Sequence, residues 1–291
     1  MGTTIWELDF YSRPIFDENK KKLWEVLICE TPLDMTRSPE SLFKFSKFTN
    51  NKSVNSIWLR EALEEAIAKA AYAPDRIRFF RRAMNNMILK ACEEADIPAI
   101  PSRRTYALNQ WIAHRMDRFY PTQAGYDEES AKATSIKYPP LNAVPLPDAV
   151  RGDRTDKWAF VSLEAEAFTE MTDWEIGFSE VFPLEMIGIT PEMKIPWLII
   201  FSPRATPLAA WMSGLELAFL QFEKGQFPRL RLETGSSDSW ILADIKDDKT
   251  LAEANGFENA KEKVNNIHFL AIQSSPDSEA FAGFWLLKED L

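Results

Sequence analysis

The chain is poor in the side chains that carry most enzymatic chemistry. Its 291 residues include two cysteines and two histidines. Cys29 and Cys92 stand far apart in apolar contexts, which suits buried free thiols in a reducing compartment and excludes a disulfide framework. His114 and His268 are isolated from them, so neither an ordinary zinc site nor a Cys–His nucleophile pair can be read from the spacing. No GxGxxG, Walker loop, GxSxG or HExxH pattern occurs, which leaves no cofactor and no small-molecule substrate to expect. The longest strongly apolar run, IPWLIIF at 195–201, is too short to span a bilayer, so no membrane insertion is expected. The opening MGTTIWELDFYSRP carries Glu7 and Asp9 and lacks both the apolar stretch of a signal peptide and the Arg/Ser composition of a transit peptide, an expectation of a cytoplasmic protein.

Core-forming material is plentiful. Hydrophobic residues make up 45% of the chain, with twenty phenylalanines and ten tryptophans, enough for two cores. Charge is uneven. Residues 1–150 hold 21 Lys+Arg against 20 Asp+Glu, whereas residues 151–291 hold 13 against 24. Within the balanced half, residues 76–118 concentrate nine basic residues against four acids, beginning with RIRFFRR at 76–82. A local excess of this kind in a chain of net charge -10 suggests a confined anion-binding face.

Periodicity predicts α/β (or α+β) organisation, with mixed sheets and helices in two domains. TIWELDFYS alternates, with Trp6, Leu8 and Phe10 on one face and Glu7, Asp9 and Tyr11 on the other. KLWEVLICE is a strand apolar on both faces, and SLFKFSKFT alternates again. NSIWLREALEEAIAKAAY reads as a helix capped by Asn55 or Ser56 and stopped near Pro74. RIRFF is a short strand, RAMNNMILKACEEA a helix, IPAIPS an extended segment, and SRRTYALNQWIAHRMDRF a third helix capped by Ser102 or Thr105. Residues 1–120 thus form an N-terminal α/β domain, ribonuclease H-like in element order. Residues 121–157 form a connection interrupted by Pro121, Pro139, Pro140, Pro145 and Pro147. Residues 158–291 form a second α/β domain. There TPLAAWMSGLELAFLQFEKG reads as one helix, with Thr206 as cap, Pro207 at its first position and Gly225 at its end. GFWLL at 283–287 reads as a closing strand, with a protruding docking motif as the alternative.

Arginine forks match phosphate geometry, and the helix starts after the short strands offer backbone amides to anions. Arg76, Arg78, Arg81, Arg82, Arg103 and Arg104 are therefore the candidate phosphate contacts. Phe80, Tyr106 and Trp111 are the candidate stacking planes for single-stranded bases. The opposing expectation is that these arginines pair with carboxylates of the chain itself. A metal-dependent nuclease on the same scaffold would need Asp9, a helix carboxylate from Glu61, Glu64 or Glu65, and a third at the end of the fourth strand. That last position is FFRR, whose cations would repel a metal, and Asp9 has a plainer use as the partner of an arginine such as Arg13.

WELDFYSRPI (6–15), KLWEVLICE (22–30), SRRTYALNQW (102–111) and the terminal Trp285, Leu286 and Leu287 resemble the Tab/Atab family of chloroplast and cyanobacterial translation activators. The resemblance runs from Trp6 to Leu287. It implies RNA binding without enzymatic activity, at the untranslated leader of the message for the photosystem I subunit PsaB, and a role in photosystem I biogenesis. It implies that the Trp-Leu-Leu signature is linked to function and RNA association, and that this chain is a cyanobacterial, cytoplasmic member. On this reading its partners are single-stranded, A/U-rich RNA and translation or assembly factors. Two other readings remain open: the nuclease, and a protein scaffold docking through its acidic half and WLL end.

Overall fold

Strand alternation builds the first sheet. β1 (Ile5–Phe16) and β2 (Lys22–Glu30) pair antiparallel around a turn in which Asp17 accepts the N–H groups of Asn19 and Lys21. Trp6, Leu8 and Phe10 of β1 share a face with Val26 and Ile28 of β2 and with Ile77 and Phe79 of β4 (Arg76–Phe79). On that face pack Leu59, Leu63 and Ala66 of α1 (Ser56–Ala70), and Ile88, Ala91 and Cys92 of α2 (Asn85–Glu94). Each such large apolar side chain contributes about 1.5–3 kcal/mol when fully removed from water. α1 starts where the sequence predicts, since the Asn55 side chain accepts the Trp58 N–H at 2.9 Å. β3 (Lys44–Thr49) and β5 (Ala99–Pro101) complete a mixed sheet of order β3-β2-β1-β4-β5. β4 runs parallel to β1 and β5 parallel to β4.

The computed structural model describes residues 3–132, 142–150 and 156–289. The chain divides into two compact units, Met1–Thr31 with Pro39–Pro140, and Pro32–Ser38 with Leu141–Leu291. In the first, α3 (Tyr106–His114) covers the other face of the sheet and continues as a π-helical turn, Arg115–Phe119. Neither expected residue caps α3 with its side chain: Thr105 makes no cap bond, and Ser102 accepts instead from Arg104 N–H. Of the Pro-rich connection, the described parts contribute α4 (Glu128–Lys132) and β6 (Val144–Pro145). Pro139 and Pro140, with the rest of 133–141 and 151–155, lie outside the described residues.

The second unit holds two more mixed sheets. One has the order β7-β9-β13-β14-β8, from β7 (Lys157–Glu164), β9 (Lys194–Phe201), β13 (Ile267–Gln273), β14 (Phe281–Lys288) and β8 (Ile176–Glu180). The other has the order β10-β11-β12-β6, from β10 (Leu217–Glu223), β11 (Arg229–Thr234) and β12 (Asp238–Asp244) with β6. The single helix expected over 206–225 is corrected. α5 (Ala205–Ser213) ends at Gly214, and LAFLQFE forms β10, buried on both faces. A short, mostly apolar segment fits a buried strand as well as a helix, and pairing with β11 decides for the strand. Thr206 and Pro207 lie inside the first turn, with Arg204 at the cap position.

An exposed strand edge invites unwanted pairing, and β10 closes its own with side chains. Leu220 N–H donates to Nε2 of His268 at 2.8 Å, and Leu220 C=O accepts from Lys261 Nζ at 2.7 Å. Phe222 N–H donates to Glu258 at 2.8 Å. Lys261, from α6 (Asp248–Glu262), is buried and pairs with Glu289 at 2.5 Å and Glu258 at 3.1 Å. Burial and the Lys261 charge hold His268 well below its ordinary pKa, so its neutral ring accepts.

Candidate nucleic-acid interface

The face of the first sheet beneath α3 is a buried ionic layer. Alternation puts Glu7 and Asp9 of β1 on that face, and register places Glu25 of β2 opposite Tyr11. All three carboxylates are fully buried. Asp9 accepts from Nε and Nη2 of Arg81 at 2.6 and 3.0 Å, and its Oδ2 lies 3.0 Å from Nη2 of Arg13. Burial alone would push Asp9 up, but the two guanidiniums outweigh it and hold the carboxyl below its ordinary value. Glu25 accepts from Arg13 at 3.2 Å, from the Tyr120 hydroxyl at 2.5 Å, and from Arg115. Its burial still holds it above the usual carboxylate range.

Glu7 does a different job. Its Oε2 accepts the Leu108 N–H at 2.7 Å, so a carboxyl 101 residues away satisfies an N-terminal amide that Thr105 leaves open. Burial pushes its pKa up to about 8, against the pull of the Leu108 amide, the Arg78 charge, the Thr31 hydroxyl and the Ala107 amide. Glu7 thereby fastens α3 to the sheet.

The arginine block divides by burial. Arg78 is 1% exposed, Arg104 2%, and Arg81 and Arg103 9% each. Arg82 is exposed at the turn after β4, and Arg76 is half-buried. For Arg81 the opposing expectation, pairing with a carboxylate of the chain, is what forms: Asp9 occupies its fork, and its guanidinium lies 3.9 Å over the Tyr11 ring and 5.1 Å from that of Phe80. The expected stacking planes are engaged as well. Tyr106 and Phe80 are buried, the Arg104 guanidinium lies 5.5 Å from the Tyr106 ring, and that of Arg115 lies 5.5 Å from half-buried Trp111. What the sequence reading missed is that Glu7 and Glu25 join Asp9 and Arg13 in one buried layer. Glu7, Asp9 and Arg13 all carry odd numbers along one strand between buried aromatics, and that parity was the available signal.

The nuclease constellation does not assemble. Both Asp9 oxygens are held by arginines, and α1 packs on the opposite face, beside Leu8 and Phe10. Glu65 pairs with Lys47 and Lys69, Glu64 pairs with Arg60, and Glu61 is exposed. Among the described residues no group of three His, Cys, Asp or Glu side chains could hold a metal ion.

The Trp-Leu-Leu signature is core. Trp285, Leu286 and Leu287 sit in β14 opposite Leu270, Phe269 and His268, and all three are buried. Trp285 and Leu287 face the cluster shared with α5 and the second sheet. A Cβ at Gly283 would overlap the Trp285 ring and stand 3.0 Å from Ala209 Cβ, so the glycine makes room for the indole. GFWLL is thus the closing strand read from the sequence, and its side chains pack inward without protruding.

Residues 5–115 match the family model of the RNA-binding protein Tab2/Atab2 N-terminal domain, and residues 133–288 match that of its C-terminal domain. The chain belongs to the Tab2/Atab2 family of RNA-binding proteins. It is 36% identical to the chloroplastic protein TAB2 homolog of Arabidopsis thaliana, over 97% of this chain and 74% of that protein. It is 35% identical to the chloroplastic TAB2 homolog of Zea mays, over 97% of this chain and 70% of that protein. The HTLV-2 integrase catalytic core domain aligns with 44% of this chain and 78% of its own at 16% identity, with a TM-score of 0.27, too low for an argument about kinship.

Proposed function

We propose that the chain binds single-stranded, A/U-rich RNA in the leaders of photosystem reaction-centre messages, PsaB among them, and supports their translation. The observation that carries this reading is the match of both halves to the RNA-binding Tab2/Atab2 domains. The ribonuclease H-like reading of the first unit rests on its element order. Within that unit we assign first phosphate contact to half-buried Arg76, at the start of β4, and exposed Arg82, in the turn after it. Arg78, Arg81, Arg103, Arg104, Tyr106 and Trp111 form the framework that holds this edge in shape. Their burial supports a positioning role, since a guanidinium already desolvated and paired gains little from a phosphate. The chain acts as a binder and not as an enzyme, a reading supported by the arginine clamp on Asp9. It works in a cyanobacterial cytoplasm, with translation or assembly factors as further partners.

Crosslinking the protein to RNA in cells and sequencing the recovered fragments tests this directly. The expected result is enrichment of A/U-rich leader sequences of reaction-centre messages. Uniform coverage of abundant transcripts would reject the target class, and no recoverable RNA would reject the function.

A further inference from the structure

The second unit contains an apolar cavity of about 400 Å³, open to solvent and remote in sequence from the arginine block. Phe168, Leu184, Ile189 and Pro191 line it, with Met35 from the Pro32–Ser38 segment. Its wall is rigid: the Phe168 ring stacks on Phe269 at 4.2 Å and on Trp197 at 5.3 Å. Two lining carboxylates, Glu166 and Glu185, are solvent-exposed, and neither pairs with a cation among the described residues. No lining residue is basic. The preceding edge strand continues the apolar surface, with Val161 41% and Leu163 37% exposed on β7.

We propose that this cavity docks a peptide segment of a partner protein, one large apolar side chain seated between Phe168, Leu184 and Ile189 and flanking Lys or Arg residues answering Glu166 and Glu185. The volume suits one or two apolar side chains, and terminal strand β7 offers an extended segment an edge beside it. The acid rim repels phosphates, and residues 151–291 hold 24 acids against 13 bases, so RNA is the disfavoured occupant. The site thus lies apart from the RNA contact proposed above.

The probes are two fluorescein-labelled, end-blocked peptides, Lys-Arg-Phe-Leu-Lys-Arg and its acidic counterpart Glu-Glu-Phe-Leu-Glu-Glu, titrated with the full chain and read by anisotropy. The cationic peptide should bind at least tenfold tighter. Glu166→Lys with Glu185→Lys, both on the surface, should reverse that preference. Thr169→Trp, at an exposed lining position, should weaken the cationic peptide at least tenfold while leaving leader-RNA affinity unchanged. Equal binding of both peptides, no binding of the cationic one, or a charge preference surviving the double reversal would overturn the proposal. So would Thr169→Trp abolishing RNA binding with unfolding temperature preserved, which would make the cavity an RNA site.

Discussion

Replacing Glu7 by Gln should make the protein more stable at pH 8 and change little at pH 4.5. The carboxyl is fully buried, and burial raises its pKa from 4.5 to about 8 in the fold. Between those values the folded chain keeps a proton that the unfolded chain releases, so stability falls as pH rises through the window and levels off above it. At about 1.4 kcal/mol per unit, the shift corresponds to about 5 kcal/mol across the window. Gln is nearly isosteric, and its carbonyl can still accept the Leu108 N–H. The two proteins should therefore diverge steadily from pH 5 to pH 8, by up to about 5 kcal/mol in favour of Glu7→Gln. Glu25 and Glu289 are also held above their ordinary values, and comparing variant with parent cancels their contribution. Urea unfolding followed by circular dichroism at four pH values, with equal slopes, measures the difference. A pH-independent gap, or a parent that gains on the variant as pH rises, would refute the burial of a protonated Glu7.

Other perturbations follow from the same geometry. Asp9→Asn leaves Arg81 buried without its counter-charge and Arg13 with Glu25 alone, and should cost about 3–5 kcal/mol in denaturant unfolding. By contrast Arg118→Ala, which removes an exposed pair with Asp117, should cost less than about 1 kcal/mol. Gly283→Ala drives a methyl into the Trp285 ring and should lower stability by about 1–3 kcal/mol; adding Trp285→Phe should return part of the loss by thermal melting.

The strands of the first unit were legible because alternation and turn chemistry agree. β2 has the bounds of KLWEVLICE, and Asn55 caps α1. The second half misled where local pattern is ambiguous. LAFLQFE is mostly apolar without a period that separates strand from helix, and its pairing with β11 makes it a strand. The candidate site was harder to read. RIRFFRR shows its charge in one dimension, but Arg78 and Arg81 within it are buried, as are Arg103 and Arg104. Carboxylates of the layer lie far off in sequence from the arginines they hold: Asp9 is 72 residues from Arg81, and Glu25 is 90 from Arg115. Sequence shows the charges but not which of them share a face once α3 closes over the sheet. The pairing of Asp9 with Arg13 was visible, being only four residues apart on one strand.

The most direct test of the account is the salt dependence of leader-RNA binding by the parent and by Arg76→Glu with Arg82→Glu. Loss of two phosphate contacts should weaken binding and reduce the slope of log affinity against log salt by about 1.4, with the unfolding temperature unchanged. Identical affinity and slope in a folded double variant would contradict the assignment of RNA contact to Arg76 and Arg82.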